Sequence, residues 1–489
     1  MRWDNRFNFD KGWLASGRAG LAYSDQKKDL DTIYSDDVGW GNYGAMGIPV
    51  PSSLLYVDNM SNFLSSADTP TTNKFVNFNG DALINYLLSP AALTMRDQIN
   101  NLPAGTSAAS ILPRGYTPMY QPGASYSVGE KSMSAYVELT LKGNLGAWPL
   151  TVIGGARYET TDEKATSAQM KLLDIQNAPG SGGTQYVSVF DTTLSPVTQA
   201  SKYHYVLPSV NAKLELSNDL IVRGAISESL TRPDIGKLNP VITFPSTLRP
   251  SGLLASGGNG NLHPYTSWNY DTSVEWYYSR TSYLSLGYFY KKIDGLIVSS
   301  IVSVPVTIAN SQNISDANIH GTTANFDLTQ YINLGDNHVS GLEFAWQNTF
   351  KNLPGLLSNT GVTVSATIPW TSAKFDNTSF ANNGAFPGLS NSYFLTAFYD
   401  DGALEARVSL SHRDKYFYGM VTSTEPGYTL ASSQWDARLS YNVNANVQVF
   451  FDGFNITNTP VRTEGRYSSE FLNYQDTGAR YDLGVRFKY

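Results

Sequence analysis

The chain has 489 residues, room for several ordinary domains or one large β-structure, with only 15% charged residues, 13% aromatics and a mean hydropathy of −0.25. No run of about eighteen apolar residues occurs, which excludes a transmembrane helix. The net charge of −7 argues against a nucleic-acid surface, and the lack of any cysteine removes disulfides and thiolate metal sites.

The opening stretch, MRWDNRFNFDKGWL, has no continuous apolar core and does not read as a secretion signal. A weak first strand is expected at 2–9, followed by a long loop over 26–127. Within that loop DALINYLLSPAALTMRDQI has helical spacing on either side of Pro90. Alternation then predicts strands at 133–141 and 150–158, and at 206–216 and 220–226. Pro208 would remove a ladder hydrogen bond, so its strand is expected to enter the membrane near there or to carry a bulge.

The stretch NYDTSVEWYYS shows the pattern most clearly. Tyr270, Thr272, Val274, Trp276 and Tyr278 share one face, and Asn269, Asp271, Ser273 and Glu275 the other. Eight residue steps at about 3.3 Å span roughly 26 Å. Tilted by about 40°, that nearly matches the ~25 Å apolar band of an outer-membrane barrel, with an aromatic girdle at each interface. The same alternation recurs from Leu284 to Tyr290, Leu342 to Trp346, Val362 to Ile368, Tyr393 to Tyr399, Leu404 to Leu410, Trp435 to Val443 and Val447 to Phe451. In the closing segment ARYDLGVRFKY, Tyr481, Leu483, Val485 and Phe487 face lipid, while Arg480, Asp482, Arg486 and Lys488 face a wet lumen. Asp271, Glu275, Arg407 and Arg438 are likewise expected to be lumenal, solvated or paired across strands.

Connections alternate as the strands do. Short turns are expected near 143–148, 217–219, 279–282, 352–358, 400–402 and 444–446. Long loops are expected near 163–202, 232–266, 298–337, 371–389, 414–433 and 457–478. Short turns on one side and long loops on the other fit an outer-membrane barrel, and loops of this length would be suspect inside a soluble domain. About fifteen strands result. Because closed single-chain barrels normally have an even number, either at least one strand lies upstream, the reading favoured, or the first strand at 2–9 is wrong.

Several stretches resemble TonB-dependent outer-membrane receptors, particularly the large proteobacterial branch often linked to carbohydrate uptake. They are YVLPSVNAKLEL with LIVRGAISESLTRPDIGKLNP (205–240), GNGNLHPYTSWNYDTSVEWYYS (258–279), YFYKKIDGLI (288–297), VSGLEFAWQNTF (339–350), GFNITNTP (453–460) and the closing strand. The resemblance is strong over 205–489 and weaker before it. It implies an all-β fold: a transmembrane antiparallel β-barrel in the Gram-negative outer membrane, with about 14–15 strands of a 22-stranded barrel. Neither the family's plug nor its TonB box is recognisable. Residues 1–489 are therefore expected to be the C-terminal part of the barrel, with the plug and early strands absent. The partners implied are outer-membrane lipid, the barrel assembly machinery, a small extracellular ligand, and TonB only through the missing plug and box. Asp482, Gly484, Phe487 and Tyr489 match the terminal signal read by the assembly machinery.

Catalytic constellations are poor. His204, His263, His320, His338 and His412 are scattered, and no HExxH, calcium-loop or phosphate-loop pattern occurs. His204 and His412 share parity with lipid-facing neighbours, which argues against a lumenal dyad. The stretch GGNG at 257–260 reads as a flexible loop. No catalytic residues, metal ligands or cofactor are expected. For ligand contact the candidates are Arg232, Asn239, His263, Tyr265 and Trp268, a group in which an aromatic platform adjoins hydrogen-bonding side chains. Trp40 and Trp370 follow on weaker grounds. The alternative is that these residues pack the loops or anchor the interface. The function expected is TonB-energised uptake of a scarce nutrient, a carbohydrate on the family resemblance, with an iron chelate or a vitamin as the other ligand classes. A passive porin of about sixteen strands is the competing reading; a barrel lipase or protease would need a dyad or triad that the sequence does not display.

Overall fold

The computed structural model describes residues 1–9, 12–34, 49–59, 74–99, 102–113, 119–120, 124–178, 180–250, 252–371, 375–376, 381–382, 385–422 and 425–487. The chain divides into two compact units, one comprising Met1–Asp29 with Tyr126–Tyr489 and the other Leu30–Ser125.

Fifteen strands of the first unit follow one another in a single antiparallel path. They are β1 (Arg2–Asn8), β2 (Leu14–Leu30), β3 (Tyr126–Leu145), β4 (Trp148–Asn177), β5 (Tyr186–Glu215), β6 (Leu220–Thr231), β7 (Tyr265–Ser279), β8 (Ser282–Asp294), β9 (Asn337–Thr349), β10 (Thr360–Thr371), β11 (Ser392–Asp400), β12 (Leu404–Arg413), β13 (Ser432–Asn442), β14 (Val447–Phe454) and β15 (Arg480–Phe487). This is the all-β barrel wall expected from the alternation. The short turns all fall on one side, and those between β11 and β12 and between β13 and β14 are only a few residues long.

The two faces of the wall differ as the parity requires. Outward-facing Val206, Leu286, Leu439 and Leu483 are 57%, 53%, 47% and 77% exposed, an apolar surface that only a nonpolar solvent would cover. Aromatics edge this belt. On one side Tyr158 pairs with His204, Tyr270 with Tyr290, Tyr290 with His338, and Tyr393 with His412, all with ring centroids 5.9–6.2 Å apart. On the turn side Trp276 lies 5.0 Å from Tyr278, whose hydroxyl accepts a hydrogen bond from the Trp346 indole at 2.9 Å. Inward, Arg223 grips Glu275 at 2.8 Å and Arg438 approaches Asp452 at 3.4 Å, the cross-strand pairing expected of lumenal charges.

Several long loops are more structured than the sequence suggests. The stretch expected as a loop over 163–202 is mostly the outer arms of β4 and β5, which pair as far as Asn177 and Tyr186. Pro208 sits opposite Ala156 with no register shift, so no bulge forms there; the strand does enter the belt nearby, between exposed Lys202 and lipid-facing Val206. Residues 296–307 and 323–334 form a hairpin that pairs with 254–257, in a sheet apart from the wall. Leu172, Ile175, Tyr186, Leu248, Leu253, Phe326 and Leu328 close into a core shared by three connections far apart in sequence. This is a packed cap. The stretch at 257–260 is correspondingly tight: a Cβ on Gly258 would come within 2.4 Å of the Asn239 carbonyl oxygen, so only glycine permits the approach. A four-stranded sheet over 416–420, 426–429, 461–464 and 471–475 organises the last two long connections.

In the second unit, α1 (Gly80–Leu87) and α2 (Pro90–Ile99) flank the expected break, with Pro90 as the first residue of α2, where its missing N–H costs nothing. The Asn79 side chain caps α1 by accepting from the Ala82 amide at 3.0 Å. Asp97 accepts the Gly105 and Ser107 amides at 2.8 Å, ordering the start of α3 (Thr106–Ile111).

Candidate functional site on the inner wall above the membrane

Where the lipid belt ends is set by charge. Lys131, Asp162 and Lys202 lie opposite one another across β3, β4 and β5 on the outward face, and Lys202 pairs with Asp162 at 3.0 Å while both stay largely exposed. Charges in that position require water, so the wall above them stands outside the membrane.

The inner face at this level is different. Glu130 and Glu163 lie directly opposite each other on β3 and β4, an unfavourable like-charge pair unless a cation intervenes. Arg232, the first residue after β6, supplies the cation. Its Nε is 3.2 Å from Glu130, and its Nη2 contacts Glu159 on β4. The other oxygen of Glu159 takes Arg157 at 2.7 Å. Tyr203 from β5 closes the group and is buried with it. Above, Val128, Ala165, Leu238 and Leu262 form an apolar roof that excludes water.

Glu163 sits under that roof, 3% exposed, and neither carboxylate oxygen has a hydrogen-bond partner. Burial holds its carboxyl up at about 7; the charge of Glu130 adds to this and Arg232 opposes it. Burial also raises Glu130, against the pull of Arg232. With Glu163 neutral, two carboxylates balance two guanidiniums. Among the described residues no three acidic, His or Cys side chains converge as metal ligands would.

The five ligand candidates divide. Arg232 lies in this cluster. His263 is beside it, its ring edge-on to Tyr203 with centroids 6.4 Å apart and Nδ1 3.3 Å from the Ser201 hydroxyl. Tyr265 begins β7 opposite Thr231, next to Arg232 in sequence. Trp268 has the parity of outward-facing Tyr270 and belongs to the belt side. Asn239 uses its side-chain oxygen to accept the Val241 amide at 3.1 Å, shaping the turn. Of the weaker pair, Trp370 continues the outward face of β10 opposite Ser340, and Trp40 lies outside the described residues. Sequence reasoning missed Glu130, Glu159, Glu163 and Tyr203. The signal was available in ETTDEK (159–164), where an inward parity otherwise rich in polar residues carries two acids within five residues.

At the closing strand, Gly484 leaves room for the Phe450 ring, which would lie 2.4 Å from a Cβ there, and Arg438 and Arg486 approach that ring at 5.6 and 5.7 Å. Asp482 pairs with Arg480 at 3.6 Å, Phe487 is exposed outward, and Tyr489 lies outside the described residues.

One Ser–His–Asp row appears that the sequence did not disclose. His412 Nδ1 is 2.7 Å from the Ser433 hydroxyl, and its Nε2 is 3.1 Å from Asp414, itself held by Asn391 at 2.9 Å. The row lies on the outward parity at the rim. Its ring nitrogens are used in the reverse of the protease triad, in which the nucleophile meets Nε2. It caps a strand end.

A continuous antiparallel wall with a lipid-exposed apolar face, a charged inner face and packed outer connections defines an outer-membrane β-barrel protein. The family model described as TonB dependent receptor-like, beta-barrel, matches residues 1–456, and the chain belongs to that family. No curated protein matches the chain by sequence. Among solved structures it is similar in fold to the ferric-catecholate import receptor Fiu of Escherichia coli K12, with 15% identity and a TM-score of 0.55 over 99% of this chain and 54% of that one. It is also similar to the siderophore receptor PiuA of Acinetobacter baumannii, with 13% identity and a TM-score of 0.52 over 100% and 56%. A mutant of the ferric enterobactin receptor PfeA of Pseudomonas aeruginosa gives 12%, 0.50, 99% and 61%. The chain thus spans little more than half the length of these receptors.

Proposed function

We propose that this chain forms the wall and outer cap of a receptor that captures a scarce small molecule outside the cell and admits it under TonB drive. The observation carrying this reading is the cap. Three connections share one hydrophobic core above the belt, which holds a polar inner surface in fixed geometry, as ligand capture requires. His263 and Tyr265 are the side chains we assign to ligand contact. Arg232 serves the same site by holding its segment in place. The similar receptors are named for siderophores, ferric catecholates and ferric enterobactin, and on that likeness an iron chelate is the first ligand class to test. The carbohydrate expected from the sequence resemblance comes second. Asp482, Gly484, Phe487 and Tyr489 are read as the assembly address.

The test compares uptake of labelled iron chelates and oligosaccharides by cells with and without the full-length gene, each in the presence and absence of TonB. We expect one ligand class to be lost when either is deleted. Uptake that depends on the gene but persists without TonB, together with stable conductance in planar bilayers, would support the porin instead.

A further inference from the structure

The segment 232–264, described at all its residues but 251, crosses the inner wall above the membrane and is fastened to it at several points. Arg232 meets Glu130 and Glu159 at one end. Gln199 accepts the Gly260 amide at 2.7 Å, and the Tyr205 hydroxyl donates to the Pro264 carbonyl at 3.3 Å at the other end. Between them Leu238 and Leu262 are buried against Val128 and Ala165, the residues immediately above Glu130 and Glu163 on the wall. Glu163 therefore lies at the seam. It belongs to the wall, is roofed by the segment, and is almost wholly buried with no partner for either oxygen.

A carboxylate in such a place is costly while the segment is docked and cheap once water reaches it. A neutral carboxyl is tolerated in both. Proton binding and docking must then favour each other, by linkage. We propose that Glu163 is a proton-binding site that controls docking of the 232–264 segment, closed with the carboxyl neutral and loosened when it ionises.

The other charged and titratable groups around the seam are Glu130 from β3, Arg157 and Glu159 from β4, Tyr203 from β5, and Arg232 and His263 from the segment itself. Lys237 of the segment is engaged over the Tyr331 ring at 4.6 Å, and Lys28 from β2, Tyr126 from β3 and Asp234 of the segment gather around Gly236. Arg157 and Arg232 contact Glu159 and Glu130, so an ionised Glu163 adds one negative charge with no cation in contact with it. The docked carboxyl is raised from 4.5 to about 7, and the undocked one is in water. Docking is therefore full below about pH 4.5, weakens as pH rises towards 7 and is constant above. His263, edge-on to Tyr203 beside the cluster, is the control.

The experiment is hydrogen exchange of residues 232–264 in the full-length protein in outer-membrane vesicles, from pH 5 to pH 8, corrected for intrinsic exchange. We expect the opening equilibrium to rise at least tenfold between pH 5 and pH 7, within a ceiling of roughly 300-fold for the full displacement. Glu163→Gln should flatten the profile and hold the segment closed; His263→Gln should leave the slope in place. A flat wild-type profile, an unchanged slope in E163Q, or a slope lost in H263Q alone would overturn the proposal. Should E163Q fail to assemble, the wild-type protein decides. A protonated-carboxyl infrared band that disappears between pH 6 and pH 8 supports the site, and its absence sinks it.

Discussion

Two arginine–glutamate arrangements on the same inner wall, one low and one high, show how much environment matters. Arg223 and Glu275 meet across β6 and β7 with nearly ideal two-point geometry, their side chains 45% and 16% exposed. Arg232 meets Glu130 and Glu159 less symmetrically, but it is 30% exposed and those carboxylates are only 9% and 7% exposed. The wetter pair is the more replaceable, because water reaches its arginine. In the dry group the loss of one cation strands several buried charges. Better geometry does not make the stronger dependence; exclusion of water does.

That contrast can be broken in three ways. The largest effect is expected from Arg232→Ala, which leaves Glu130, Glu159 and Glu163 buried with only Arg157 among them. Docking of 232–264 should weaken by about 3–5 kcal/mol, as for a buried pair losing one partner, read as faster exchange or proteolysis of that segment with the belt intact. A loss below about 1 kcal/mol would place this group with ordinary surface pairs. Next comes Leu262→Ala, which opens the roof without touching a charge. It should cost about 2–3 kcal/mol for the lost side chain and bring the Glu163 carboxyl down from about 7 towards its ordinary 4.5, visible by infrared titration. An unmoved Glu163 would mean that the roof is not what keeps it dry. The smallest effect is expected from Arg223→Ala, about 1 kcal/mol in denaturant unfolding, because the arginine is nearly half exposed. A larger loss would erase the distinction.

How much of this was legible in the sequence varies by region. The belt was legible almost strand by strand, because lipid on one side and water on the other impose a period of two that any window of eight residues displays. Nearly all of the strands (though not β2), the side of the short turns, the faces of Arg480 to Phe487 and the helical break at Pro90 follow from local pattern. Above the belt that signal vanishes. The outer arms of β4 and β5 have water on their outer side and a folded cap on their inner side, so 163–202 looks like polar loop although most of it is strand. The same holds for 257–260, where tight packing of glycines against residues 237–241 was indistinguishable from flexibility. The candidate site was half legible. Arg232, His263 and Tyr265 were marked by their place at a strand exit, whereas Glu130, Glu159 and Tyr203 reach Arg232 from strands tens of residues away. Trp268 misled because an aromatic near a loop serves the interface as readily as a ligand.

The sequence alone thus determined the wall and its two faces, because a membrane reads every second residue and the constraint is local. Only the tertiary structure decided that three distant connections share a core, that Arg232 faces inward to two glutamates, and that Glu163 is left dry beside them. Those outcomes depend on which surfaces exclude water together, and no stretch of chain carries that information by itself.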